Sequence, residues 1–217
     1  MRSTLLKVLV KAPTYDLTTL ENAYEELGIT DTSNDSRMTR WISAASVYAA
    51  KWCNRVFALE TVNELWRGSD NWTVYDTRYP DPYHLARCPV VEIDTIKEHD
   101  EPLTVDDYEL DAEGGRLWRL RDGYRSDWCG ARLEVTYTGG YIVPAETPPD
   151  LEQACLMLLK IRNDGIDRDR SLRAQTIPGV LEEQFNSPSS GTASGTGSAM
   201  PAEIADILTP YRDYNVP

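Results

Sequence analysis

The spacing of apolar residues changes twice along this chain, and that change limits the folds open to it. Over residues 18–56 they recur every three or four positions, over 60–143 they alternate, and over 149–165 the helical spacing returns. In the first region Thr18 followed by Glu21 reads as a capping box. Leu20, Tyr24 and Leu27 share one face, and Gly28 stops the helix. A longer helix starts at Asn34 or Asp35 and carries Met38, Ile42, Ala45, Ala49, Trp52, Cys53 and Val56 on its apolar side. Ala44, Ala45, Ala49 and Ala50 keep it slim, so another element can approach closely. Its charges are Asp35 against Arg37, Arg40, Lys51 and Arg55, which makes it a basic helix in an acidic chain.

In the alternating region "ETVNELW", "CPVVEIDTIKE", "DDYELDAEGGRLWRL" and "ARLEVTYTGGY" predict four to six strands, mostly sequential and antiparallel. The third segment reads as a hairpin turning on Glu-Gly-Gly. "PPDLEQACLMLLKIRNDG" then restores the helix, with Pro149 in the first turn, Leu151, Ala154, Cys155, Leu158 and Ile161 as the buried stripe, and Gly165 as the stop. The expected class is therefore α+β. An N-terminal helix pair and a later helix pack with a small antiparallel β-sheet, and an extended C-terminal arm carries a short helix. The divisions expected are an arm or strand at 1–16, an α+β body at 17–185, a Ser/Gly-rich linker at 186–200, and a docking helix with its tail at 201–217.

That tail raises the question of use. A flexible linker over 186–199 spans about 20 Å r.m.s.. After it, "PAEIADILTPYRDY" places Ile204, Ile207, Leu208 and Tyr211 on one stripe, between a starting Pro201 and an ending Pro210. A helix of about two turns does not hold alone in water, so it must dock on its own domain or on a neighbour. A tether raises the effective concentration of whatever it carries. Removal of 187–217 is expected to leave the body folded and to abolish docking.

Composition excludes several function classes. The net charge of −13 and pI of about 4.6 oppose binding to nucleic acid by phosphate neutralisation. No apolar run is long enough to cross a membrane. The start, "MRSTLLKVLVKAPTYD", is broken by Lys7 and Lys11 and lacks the shape of a signal peptide, so cytoplasmic synthesis is expected. Cys53, Cys88, Cys129 and Cys155 have no ligand-like spacing, and His84 and His99 do not complete one.

Ten acidic side chains fall between Glu92 and Glu113 against Lys97 alone. A calcium loop started at Glu109 fails at its twelfth place, which is Leu120. The segment reads as a solvated, negatively charged hairpin, of a kind that would repel DNA along a conduit. No nucleophile elbow and no phosphate loop occur. The reading is not an enzyme: no catalytic residue, no cofactor and no metal. "ELWRGSDNWTVYDTRYPDPYHLAR" crowds aromatic rings into a polar stretch, as a cover over the local core or as a binding surface.

Taken in order, four stretches resemble the head–tail connector (adaptor) family of tailed bacteriophages and gene transfer agents. "LTTLENAYEELGITDTSNDSRMTRWISAASVYAAKWCNRVF" is similar to the family's paired N-terminal helices. "CPVVEIDTIKEHDEPLTVDDYELDAEGGRLWRL" is similar to its hairpin and following turn. "RLEVTYTGGYIVPAETPPDLEQACLMLLKIRND" resembles its strand, Thr-Gly-Gly-Tyr turn and Pro-started helix. "SLRAQTIPGV" with "PAEIADILTPYRDY" resembles its Ile-Pro-Gly segment and C-terminal helix. The match runs from about residue 15 to 214. The loop at 64–87 and the Ser/Gly linker depart from the family pattern.

The resemblance implies a virion protein made in the bacterial cytoplasm and assembled into a ring, typically of twelve copies, at the head–tail junction. Its partners would be other copies of itself, the portal protein, and a neck, stopper or tail protein. Genomic DNA would pass through the ring without specific binding, and no membrane is involved. Partner contacts would fall on Ile177, Pro178 and Gly179, and on Ile204, Ile207, Leu208 and Tyr211. Two other readings stay open: a more distal neck protein of stopper or tail-terminator type, and a non-viral module that binds a small ligand.

Overall fold

A computed structural model describes residues 3–31, 33–67, 82–128, 132–165, 174–177, 181–184 and 200–213. In chain order the elements are β1 (Ser3–Val10), α1 (Leu20–Leu27), α2 (Asp35–Cys53), β2 (Glu60–Arg67), β3 (Tyr83–His84), β4 (Val90–Glu98), β5 (Glu101–Pro102), β6 (Tyr108–Asp111), β7 (Arg116–Arg121), β8 (Tyr124–Ser126), β9 (Arg132–Gly139), α3 (Pro149–Asp164), β10 (Ala174–Ile177), β11 (Leu181–Gln184) and α4 (Ala202–Leu208). The α+β class expected from the spacing is the class observed. Contacts divide the chain into two compact units.

The first unit holds the N-terminal residues through Tyr15 together with Arg55–Glu146. Its main sheet has five antiparallel strands in the order β1-β2-β9-β4-β5, and a smaller sheet runs β3-β7-β6 with β8 beside β7. The sequential order expected for the strands is therefore corrected, because β9 enters between β2 and β4. Its residues explain the position. Leu133, Val135, Tyr137 and Gly139 alternate as buried positions along β9, and every intervening residue is half-buried. A strand covered on both faces takes the centre of a sheet. The short strands β3, β5 and β8 escaped notice because two or three residues carry no readable period.

The core between these strands gathers Val62, Trp66, Tyr83, Leu85, Val90, Ile96, Leu117, Trp128, Leu133, Val135 and Tyr137. Gly139 and Gly140 are fixed by close approach. A Cβ on Gly139 would lie 2.4 Å from the Arg87 carbonyl oxygen, and one on Gly140, at φ 111°, would lie 2.5 Å from that of Ala58.

The second unit comprises Asp16–Asn54 and Thr147–Asp213. α1 is capped by Thr19, not by Thr18 as the spacing suggested. Thr19 Oγ1 accepts the Asn22 amide, while the Thr18 hydroxyl donates to Glu152 Oε1 at 2.7 Å. Gly28 closes the helix in the left-handed region at φ 63°. α2 buries Met38, Ile42, Ala45, Ser46, Ala49 and Cys53; Trp52 of the expected stripe is half-buried, and Val56 falls past the end of the helix, which Asn54 closes at φ 55°.

The stripe of α3 needs a larger correction. Leu151, Ala154 and Cys155 are buried as expected, but Leu156 and Leu159 join them, Leu158 is half-buried, and Ile161 is 50% exposed. "LMLL" is apolar all round, so periodicity alone could not choose which of its residues face inward.

Candidate functional site

The expected partner contacts start from the C-terminal helix. α4 lies within the second unit, with Ile204 and Leu208 fully buried and Met200 nearly so. Burying two such side chains contributes roughly 1.5–3 kcal/mol each, which offsets the cost of nucleating a helix this short. Polar contacts fix the end: the Asp213 amide donates to the Cys53 carbonyl at 2.8 Å, and the Tyr211 hydroxyl donates to Asp150 Oδ1 at 2.6 Å. The Arg212 guanidinium lies over the Trp52 ring, 5.0 Å from its centroid.

Of the two dockings open to this helix, the structure shows the one on its own unit. Ile207 and Tyr211 are half-buried. The expectation that the body stays folded without residues 187–217 is therefore revised, since their loss would uncover the apolar seat of Ile204 and Leu208.

Ile177, the first residue of the Ile-Pro-Gly segment, ends one strand of a small antiparallel pair. β10 and β11 are in register from Ala174 with Gln184 to Ile177 with Leu181. Pro178 and Gly179 lie outside the described residues, as does the Ser/Gly linker at 186–199.

A groove marks the outer side of α2 and α3. Trp41, Ala44, Ala45, Tyr48, Leu158, Leu159, Ile161 and Arg162 enclose about 380 Å³. Arg37 and Arg162 both stack on the Trp41 ring, at 5.1 and 5.0 Å from its centroid. The Arg37–Trp41 contact was readable as an i, i+4 pair, whereas Arg162 comes from another helix and was not.

The acidic stretch 92–113 is less bare than its sequence suggests. Arg119 bonds Glu98 Oε2 at 3.0 Å and Asp107 Oδ1 at 3.2 Å. Arg125 forks onto both carboxylate oxygens of Glu109 at 2.7 and 2.5 Å and lies 4.0 Å from the Trp118 centroid. Arg132 reaches Asp100 at 2.9 Å. The Thr104 hydroxyl and amide, followed by Arg119, hold the Asp107 carboxyl down at about 2. Strand register did not announce these pairs: Arg119 lies opposite Tyr108 and Glu109 opposite Trp118, and the arginine that meets Glu109 comes from β8.

Inside the first unit sits a carboxylate that sequence reasoning missed. Glu64 is 1% exposed; its Oε1 accepts the Tyr137 hydroxyl at 2.5 Å and the Ala86 amide at 2.9 Å. Burial pushes its pKa up, and burial beside Glu64 pushes the Tyr137 phenol far up as well. The Arg87 amide donates to the Tyr137 oxygen at 2.9 Å, and the Arg87 side chain bonds Glu60, which also accepts from Tyr15. Every member is satisfied, so the network pins residues 85–89 to the sheet. Trp66 and Tyr83, the described ends of the aromatic loop, are buried, with ring centroids 5.1 Å apart. Residues 68–81 between them lie outside the described residues.

Burial lifts the Cys155 thiol to about 11 beside Ser46, which makes it inert at neutral pH. Among the described residues no three His, Cys, Asp or Glu side chains group as a metal site requires, and no helix is long and apolar enough to cross a membrane.

A family model described as "head completion protein" matches residues 16–214. The chain belongs to the head completion protein family. This agrees with the connector resemblance drawn from the sequence and with a structural place in the virion. No curated protein matches the chain. Among the solved chains that share its fold, three each cover 98% of this chain and 97% of their own length. One is from the neck of a native gene transfer agent particle computed with C12 symmetry, at 16% identity and a TM-score of 0.50. Another is from the virion of a native gene transfer agent particle, at 15% and 0.52. The third is from the neck of an empty particle computed with C6 symmetry, at 15% and 0.53.

Proposed function

We propose that this head completion protein is the adaptor subunit of the neck, forming a ring beneath the capsid portal and joining it to the next ring or the tail. The observation that carries the reading is the family match across 16–214, spanning both units and the C-terminal helix. The shared fold with chains from gene transfer agent necks supports it, since those particles were computed with twelvefold and sixfold symmetry. A ring of about twelve copies, with DNA passing through unbound, follows from this reading. The net charge of −13 suits a passage that must not hold the genome.

Within this reading, Ile177 at the end of β10, with Pro178 and Gly179 next in the sequence, meets the portal. Ile207 and Tyr211 complete the contact. Ile204 and Leu208 act beneath them, anchoring the returning chain to its own unit. The role is structural, with no reaction to catalyse.

The test is complementation. Particles made without this chain should yield filled heads that fail to join tails, and purified full-length chain added to those heads should restore joining. Joining in its absence would remove the adaptor role. Heads that carry a bound ring of this chain below another neck component would instead place it more distally.

A further inference from the structure

The two edges of the main sheet differ in charge, and among the described residues neither is fully paired. β1 forms one edge and presents eight residues with no proline. Leu6 and Val8 pack on the core, while Leu5, Leu9 and Val10 are 62%, 48% and 61% exposed, and Lys7 and Lys11 are exposed beside them. Residues 1–11 contain Arg2, Lys7 and Lys11 and no acid, in a chain that is otherwise strongly acidic.

At the opposite side β5 covers β4 only at Lys97 and Glu98, and the Leu103 amide reaches the Ile96 carbonyl. Positions 91–95 stay uncovered among the described residues. There Val91 is 65% exposed and Glu92 and Asp94 are exposed acids.

A long edge strand with exposed apolar residues is a template for pairing with another chain. The lysines decide which chain. Two β1 edges brought together would set lysines against lysines, whereas β1 antiparallel to β4 sets Lys7 near Asp94 and Lys11 near Glu92, with Leu9 and Val10 near Val91. Strand direction agrees. β1-β2-β9-β4 alternate in direction, so β1 and β4 run oppositely. A second copy turned about an axis along the strands therefore offers its β1 antiparallel to this β4.

We infer that copies of this chain join head to tail, the basic β1 edge of one pairing with the acidic β4 edge, residues 91–95, of the next. Such a heterologous contact closes into a ring when its rotation allows. The inference rests on the ring reading above and adds its interface.

The test uses full-length chain, half of it isotopically heavy, assembled on the portal protein from the same genome and treated with a zero-length carbodiimide cross-linker. Heavy–light cross-links from Lys7 or Lys11 to Glu92 or Asp94 are expected. K7E/K11E should weaken association by roughly tenfold or more per interface. E92K/D94K should do the same, and the two changes combined in one chain should restore assembly. That rescue separates loss of pairing from loss of folding. Oligomers whose cross-links fall only elsewhere, or charge reversals without effect, would overturn the inference and leave the adaptor reading standing. No oligomer of the unaltered chain on its portal would overturn both.

Discussion

The two units hold themselves together by different means. The strand-rich unit buries charge and satisfies it: Glu64, Glu60 and Glu98 are each less than 10% exposed and each has a named partner. The helical unit buries alkyl groups and thiols instead, and it depends on residues that return from far along the chain, with Ile204 and Leu208 as its last core pieces. Buried polar pairs fix register and orientation, because any slip leaves a charge unpaired. Apolar burial is more tolerant of shape but fails when a piece is removed. The sheet unit is thus suited to presenting defined edges. In the helical unit, the fate of the C-terminal helix decides whether the unit stands.

The contrast can be broken most forcefully at the tail. Ending the chain at Asn186 removes two fully buried side chains and should cost the helical unit roughly 3–6 kcal/mol. Hydrogen exchange should then rise throughout α2 and α3 while β2 and β9 keep their protection. Equal loss in both units would show that they do not differ as described.

Next in size is Glu64→Ala, which strands the Tyr137 hydroxyl and the Ala86 amide and should cost about 2–4 kcal/mol in denaturant melts. Glu64→Gln keeps an acceptor and should cost far less. It should also change the pH profile. The folded-state pKa of Glu64 is raised, so the native state holds that proton more tightly than the unfolded chain. Its contribution to stability is full below the ordinary value of 4.5 and falls as pH rises through the raised one. The glutamine variant should lose that slope. Asp107 acts in the opposite sense: its pKa is depressed to about 2, so its contribution is present above the ordinary 3.8 and is lost as pH falls toward 2. Asp107→Asn should flatten only the acid end of the profile.

A smaller effect is expected at the first helix. Thr19→Ala should cost about 1 kcal/mol by orphaning the Asn22 amide, while Thr18→Ala should act through loss of its bond to Glu152 and leave the cap intact. Smallest of all, Arg125→Ala opens an ion pair whose side chains are both nearly half exposed, and the melting point should barely move.

The helices and the four longer strands of the alternating region were legible because each repeats its period for seven or more residues, or folds back on a glycine turn as β6 and β7 do. What stayed hidden was what period cannot carry. β9 enters the centre of the sheet because its polar face is itself half covered, with Asn63 bonding Glu134 and Thr136. Its sequence alternates as a one-faced strand would. The inward face of α3 was ambiguous because consecutive leucines satisfy every phase. Glu64 sits in "ETVNELW" among apolar neighbours, and only the pairing of Glu64 with Val135 brings Tyr137 within reach. The stripe of α4 was readable, but which surface it covers depends on Cys53 and Asp150, distant in sequence. Function was legible through order and spacing of whole segments, not through any single group.

The central claim, that this chain completes the head as a ring on the portal, is tested most directly by weighing. Full-length chain mixed with the portal protein from the same genome should give, by native mass spectrometry, one complex carrying a fixed multiple of the chain, about twelve copies, with no ladder of partial rings at saturation. A portal that remains bare, or that binds scattered single copies without closing a ring, would contradict the account.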